Sequence, residues 1–414
     1  MTRSAALARR RLLFVLPFPA RLDGTHGGSR VMAQLIHALG ARHDIAVSYL
    51  RERDDLPIDD RLRERVVRVD EVRVPTHASL GTRIARRTAA VRGIPAWASF
   101  ANVPELARRV RELAATWRPD IVHFEYHVMG QYVNAVRDIG ARCILTEYEV
   151  GVLAAREHLA PASRGRGAFV AALQRRAWAR FERRVVASMH AVVVFSERDR
   201  SALKPLAGAV PIVRIGIGTQ LPRVALDPLG AADPPQLVFV GNFRHPPNVD
   251  AAVRLAERVF PAVRRHVPAA VLRIVGAAPP AELRALAGGA VEVTGPVPDV
   301  TPWLDAASLV VVPLRLGGGM RVKVLEALAH GKAVVASARA LEGVAIVDGV
   351  HVAIAETDDE FVARIAELIA SPEARAAMAT AAREWACAHL GEAAWVRQYD
   401  ALYDRLLAPG GYGA

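Results

Sequence analysis

The run VVVPLRLGGGMRVKVLEALAHGKAVVAS, Val310 to Ser337, decides how the 414-residue chain is read. An apolar strand ends at Leu314, and Gly317, Gly318 and Gly319 lead directly into a helix that starts at Met320. The next apolar strand follows at Ala333–Ser337, so the run is one parallel strand–helix–strand unit. Free backbone N–H groups and the positive helix end at such a turn suit a diphosphate, and glycine lets the phosphate come close. Arg321 and Lys323 stand in the first helical turn, where a cation is unfavourable unless an anion offsets it. Two residues apart, they do not share a face. Glu326 lies further along the helix, within reach of ribose hydroxyls. The spacing is not that of the P-loop. The competing reading is a turn that serves only helix–sheet packing, and the flanking cations count against it.

Outward from this run the same alternation continues in both directions. Towards the C-terminus the chain is helical, over 358–370, 373–389 and 392–407. Towards the N-terminus, QLVFVG (Gln236–Gly241), VLRIVG (Val271–Gly276) and VEVTG (Val291–Gly295) are strands with helices between them. The Gly- and Pro-rich stretch 216–235 is a linker. Before it, strands are expected at LLFVL (Leu12–Leu16), 45–49, 66–74, 121–124, 144–146, 191–195 and 212–215, with helices over 31–40, 104–117 and 168–188. The fold class is therefore α/β: two Rossmann-like doubly wound parallel sheets, residues 1–215 and 216–391. A C-terminal helix, 392–414, is expected to pack back on the first. Ligands of such sheets bind beyond the carboxyl ends of the strands, so the expected site is a cleft between the domains.

Composition agrees with two soluble domains: 52% of residues are hydrophobic and 23% charged. Arg9-Arg10-Arg11 before LLFVLPFPA mimics a secretion signal, but Pro17, Pro19, Arg21 and Asp23 break the pattern and favour a buried first strand. The two cysteines, Cys143 and Cys387, have neither disulfide-framework nor metal-ligand spacing, and a cytoplasmic location follows. The net charge of +12 is uneven. Residues 1–230 carry 37 Lys and Arg against 22 Asp and Glu, while 231–414 carry 17 against 20. An excess in one half fits an anionic membrane surface or acceptor, as well as an arginine-rich composition that decorates solvated faces. The helix around 168–185 carries an apolar stripe that suits a domain core. Arg83 to Arg87, in a less regular segment, is the better membrane candidate.

The ordered set of motifs resembles the family 4 retaining glycosyltransferases of GT-B fold, over nearly the whole chain. VFVGNFRHPPNVDAA (Val238–Ala252), the run from VLRIVG to VTGPVPDV, GGGMRVKVLEALAHGKAVVAS, and Glu342-Gly343 carry the likeness in the second half. Gly27-Gly28, RPDIVHFE (Arg118–Glu125) and VVVFSERDR (Val192–Arg200) carry it in the first. The resemblance implies a nucleotide-diphosphate sugar as donor substrate, with no cofactor and no metal. The acceptor would be a saccharide or lipid-linked hydroxyl, in polysaccharide or glycolipid assembly, and nucleic acid is not a partner. It implies that Glu326 binds the donor ribose and that Gly318, Gly319 and the helix end hold the diphosphate. Gly27 and Gly28 would approach the phosphates from across the cleft, and Val297 would lie near the base. Retention would proceed on the front face, where stabilising the leaving diphosphate matters more than a nucleophile.

Two departures stand out. The first of the family's paired glutamates falls at Gly318, and in GNFRHPPN only Arg244 is cationic. Arg321 and Lys323 are the expected substitutes as phosphate neutralisers. His123 and Glu125, at the carboxyl end of a strand, are candidates for a catalytic role in the cleft, each equally read as a structural residue. His26, beside Gly27, and Tyr148-Glu149, where relatives carry His-Asp, are candidates on the acceptor side. Two other functions fit the same fold: a nucleotide-sugar epimerase, and a non-catalytic nucleotide-sugar-binding subunit, which the glycine at 318 keeps open.

Overall fold

A computed structural model describes residues 9–24, 27–75, 88–158, 166–218, 221–230, 233–317 and 322–410, with side chains of 157–158 and 166–167 excepted. The N-terminal sheet contains β1 (Arg11–Leu16), β2 (Asp44–Arg51), β3 (Arg68–Arg73), β4 (Ile121–Glu125), β5 (Arg142–Glu147), β6 (Ala191–Val194) and β7 (Ile212–Arg214). Their order is β3-β2-β1-β4-β5-β6-β7, all parallel. Helices α1 (Gly27–Gly40), α2 (Pro104–Trp117), α3 (Gly151–His158), α4 (Arg166–Ala187) and α5 (Glu197–Ala207) belong to this half.

The second sheet contains β8 (Gln236–Val240), β9 (Val271–Val275), β10 (Val291–Val293), β11 (Leu309–Val312), β12 (Val334–Ala336) and β13 (Ala353–Ile354), in the order β10-β9-β8-β11-β12-β13. Its helices include α6 (Pro246–Arg254), α7 (Val322–Ala329), α8 (Asp358–Ala370) and α9 (Pro372–His389). The order reverses between β1 and β4 in one sheet and between β8 and β11 in the other. At such switch points the loops leave in opposite directions and open a crevice.

Each central strand is buried on both faces, as parallel sheets require. Leu12 to Leu16 of β1, and Leu237 to Phe239 of β8, are fully buried. Each such side chain contributes roughly 1.5–3 kcal/mol by leaving water. The expected helix over 249–267 forms as α6, a π-helical turn (Leu255–Val259) and a last helical piece (Phe260–His266). Pro261 stands in that piece and has no N–H to donate to the preceding turn.

The last helix, α10 (Glu392–Leu407), lies on the N-terminal half. Buried Tyr403 donates or accepts at 2.9 Å with His123, and His43 meets Asp400 at 2.8 Å. Arg42 and Arg10 close on the same acidic face, on Asp400 and Asp404. The crossing segment is packed rather than loose: a Cβ added to Gly218 would stand 2.4 Å from the Trp395 ring.

Candidate functional site

The loop after β11 packs closely where it leaves the sheet. Gly317 has φ +89°, and a Cβ there would come within 2.8 Å of the Pro247 ring, so only glycine fits. Buried Arg254 holds the loop from behind, donating to the Pro313 and Glu356 carbonyls while pairing with Asp358 at 2.7 Å. The Ser337 hydroxyl donates to the Leu314 carbonyl at 2.6 Å. Gly318, Gly319, Met320 and Arg321 lie outside the described residues. Beyond them α7 begins at Val322.

Lys323 turns towards the loop after β8, where its ammonium donates to the Asn248 side-chain oxygen and sits 4.6 Å above the Phe239 ring. Asn248 is anchored in turn, donating to the Asn242 carbonyl at 2.7 Å. Arg244 is exposed on that same loop, and Val297 is half-buried after β10. These loops flank the β8/β11 switch point, so the sheet topology gathers Arg244, Asn248, Gly317 and Lys323 to one end.

Across from α7 stands the first turn of α1. A Cβ added to Gly27 would approach Val322 to 3.1 Å, and Gly28 is buried. Two helix N-termini therefore face each other, and neither first turn contains an acidic residue. Both positive ends are left for an anion to meet.

One side chain bridges the two helices. Arg30 Nη1 lies 2.8 Å from Glu326 Oε1, with the two side chains 24% and 15% exposed. Burial pushes the Glu326 carboxyl pKa up, against the pull of Arg30 and Lys323. The Arg30 Nε is buried without a partner, so its guanidinium is only partly satisfied. Sequence reasoning missed Arg30. The signal was available: a cation in the first turn of a helix is unfavourable unless something negative meets it, the argument applied above to Arg321 and Lys323. The domains touch again where Arg198 approaches Glu342 to 3.6 Å and Gly343, at φ +83°, passes the Phe195 carbonyl.

The N-terminal switch point carries aromatic rings. Tyr126, directly after β4, holds φ +69°, a costly conformation for a tyrosine. Its ring stacks on Tyr148 at 4.4 Å and 11°, with Phe18 and Trp97 edge-on at 5.3 and 5.7 Å. Tyr148 is buried, and burial with the Glu125 charge pushes its phenol well above the ordinary range, so it stays protonated. Glu149 beside it is half-buried. His26 lies outside the described residues.

His123 and Glu125 lie deeper than a cleft position. Both are 0% exposed. His123 stacks on Phe14 at 4.4 Å, meets Tyr403 through Nε2, and has Nδ1 3.3 Å from Glu125 Oε1. Glu125 accepts from the Thr146 hydroxyl at 3.1 Å. Period-two geometry sends His123 and Glu125 to the same sheet face, and α10 covers that face. Neither presents an atom to the cleft.

On α4, Ala177, Phe181 and Val185 enter the core, while Phe169 and Val170 are 71% and 54% exposed. Arg83 to Arg87 lie outside the described residues, and among those described no helix is long and apolar enough to cross a membrane.

Comparison with known proteins fits this geometry. Residues 234–371 match the family model for glycosyl transferases group 1, and residues 26–218 match that for the glycosyl transferase 4-like domain. No curated protein sequence matches the chain. Among solved structures, a sucrose-phosphate synthase from Thermosynechococcus elongatus superposes with a TM-score of 0.72 at 17% identity, covering 96% of this chain and 99% of its own. Anabaena Alr3699/HepE in complex with UDP and glucose gives 0.67 at 13% identity, covering 95% and 99%. WaaG, a glycosyltransferase involved in lipopolysaccharide biosynthesis, gives 0.64 at 15%, covering 96% and 100%. All share the GT-B arrangement of two facing Rossmann-like domains. With both halves matched in order, the chain belongs to the group 1, family-4-like glycosyltransferases.

Proposed function

We propose that this enzyme transfers a sugar from a nucleotide-diphosphate donor to a hydroxyl acceptor with retention of configuration and without a metal at the reacting centre. The observation that carries the reading is the meeting of two helix N-termini across the cleft, with Arg30 on Glu326. Two positive helix ends suit the diphosphate. Glu326 leaves Arg30 to accept from the ribose hydroxyls, and the freed guanidinium turns to the phosphates. Arg30 thereby supplies, from the N-terminal domain, charge that the loop GNFRHPPN provides only through Arg244. Lys323, Arg321 and the glycines 317–319, with Met320, complete the diphosphate cradle, and Val297 lies on the base side. Stabilising the leaving diphosphate is then the main catalytic term.

UDP is the first donor to try, since the Anabaena structures hold UDP or UDP-glucose. The acceptor side is the aromatic wall, where the half-buried Tyr126 ring, backed by buried Tyr148, suits the apolar face of a sugar, with Glu149 and His26 as candidate contacts. A lipid-linked acceptor in polysaccharide or glycolipid assembly, reached from the inner face of an anionic membrane, fits the basic N-terminal half. Arg156, Arg175 and Arg176 line a cavity of ≈ 510 Å³ with Phe169 and Leu173.

The test is a transfer assay with UDP-, GDP- and dTDP-sugars against lipid-linked and free saccharide acceptors, with the product anomer read by NMR. The reading expects a retained anomer and turnover unchanged by brief chelation. An inverted anomer, or conversion of donor with no acceptor present, contradicts it, the latter in favour of an epimerase.

A further inference from the structure

Beneath the aromatic wall, three ionisable side chains converge from separate elements: His127 in the turn after β4, Glu147 at the end of β5, and Glu182 on α4. One ligand-capable atom of each lies within 4.8 Å of the others, and none of the three residues is more than 1% exposed. His127 Nδ1 stands 3.0 Å from Glu147 Oε2. Glu182 accepts from the N–H groups of Gly151 and Val152, the latter at 3.0 Å. These bonds leave Glu147 Oε1 and His127 Nε2 buried with no hydrogen-bond partner. Orphaned buried polar atoms are rare in native folds and mark an absent water or ion.

Charge makes the same demand. Two buried carboxylates face one imidazole, which offers at most a single positive charge. The chain has 54 lysines and arginines. Yet among the described residues, the largest electrostatic influences on this cluster from outside it are Glu149 and Asp199, both acidic. Uncompensated negative charge at this depth is strongly unfavourable. The rings of Trp97 and Trp178 stand edge-on to His127 at 5.1 and 4.7 Å and close the site. A Cβ on Gly151 would lie 2.9 Å from Glu182 Oε1, so glycine keeps the carboxylate clear.

We propose that His127, Glu147 and Glu182 form a closed binding site for one divalent transition-metal cation of the zinc class. One imidazole and two carboxylates are ligands zinc accepts, and two carboxylates with a neutral imidazole cancel its charge. The cation gives Glu147 Oε1 a partner and ties β4, β5 and α4 together behind Tyr126 and Tyr148. At this depth it enters on folding and stays, so its role is structural and separate from sugar transfer. The rival occupant is a proton: burial, then the Glu147 charge, pushes the Glu182 pKa up to about 8. A protonated Glu182 beside an imidazolium–carboxylate pair is neutral as well.

The full-length protein, purified from zinc-supplemented cells without chelator, separates the two. Elemental analysis is expected to find about one equivalent of zinc, and refolding with a strong chelator to lower Tm by roughly 5 °C or more. Glu147→Gln and His127→Gln each lose the bound zinc. Cobalt(II) supplied during refolding of the wild-type chain gives visible ligand-field bands, a readout that holds even where a variant fails to fold. Zinc below ~0.1 equivalents, with Tm insensitive to chelator and Glu182→Gln as stable as wild type, overturns the proposal in favour of the proton.

Discussion

The two sheets are wound alike and filled differently. In the C-terminal sheet the buried positions of the central strands are apolar: β8, β11 and β12 bury Leu237, Val238, Phe239, Val310, Val311, Val334 and Val335. In the N-terminal sheet the equivalent strands bury His123, Glu125, Thr146 and Glu147 at 1% exposure or less. The difference shows where each half keeps its polar groups. The second domain has an apolar sheet, and its buried polar groups, Arg254 and Lys332 among them, stand on the loops and helices around it. The first carries interior polar contacts from α10 through β4 to β5: Tyr403 hydrogen-bonds His123, Thr146 hydrogen-bonds Glu125, and His123 and Glu125 lie 3.3 Å apart between them. Buried polar groups of this kind are costly when broken, so substitutions inside the N-terminal sheet should act mainly on stability, and those at the two facing helix starts mainly on binding.

The largest expected effect sits on the binding side. Glu326→Ala removes the carboxylate proposed to accept from the ribose and should weaken UDP binding ~10- to 100-fold, the range for a charged hydrogen bond, with the unfolding midpoint little changed. Equal binding in that variant would move the donor contact off α7. Arg30→Ala should cost less, ~3- to 10-fold for UDP and less again for uridine, because its role is to face the phosphates. A double-mutant cycle with Glu326→Ala should show coupling, since the two side chains touch in the unliganded enzyme. Strict additivity would break the bridge.

In the N-terminal network, Tyr403→Phe strips His123 of its hydroxyl partner and should lower unfolding free energy by ~1–3 kcal/mol in denaturant titrations, with kcat/KM almost unchanged. A loss of activity at full stability would return His123 to the reacting centre. The smallest effect is a pH dependence in the donor half. Lys332 is buried, donates to the Asp227 and Asp305 carbonyls, and has its pKa lowered by burial to about 8, from 10.5. In that window the unfolded chain binds more protons, so this group's contribution to stability should rise with pH. Lys332→Met should flatten the rise.

The frame was legible in the sequence because parallel strands buried on both faces appear as short apolar runs, and the twelve strands read there, separated by helices, leave few windings open. Gly317 and Glu326 were singled out from the sequence because a strand–glycine–helix unit has one polar end. What stayed hidden depended on partners far apart in the chain. Nothing near Arg30 announces Glu326, and His127, Glu147 and Glu182 meet only when β4, β5 and α4 pack. His123 and Glu125 sit near a strand end, where a cleft role is the natural expectation. The cover supplied by Tyr399 and Tyr403 of α10 lies at the far end of the chain. Short elements also escaped: the 3₁₀ turns over 127–139 and the two-residue β13 carry too few residues for a period to show.

Titration calorimetry of UDP into the wild-type enzyme, Arg30→Ala and Glu326→Ala tests the central claim most directly. The account predicts saturable UDP binding that Glu326→Ala weakens most and Arg30→Ala weakens less, with folding intact in all three. UDP, GDP and dTDP all failing to bind the folded wild-type protein at millimolar concentration would contradict it, and the two facing helix ends would then be a packing contact rather than a donor site.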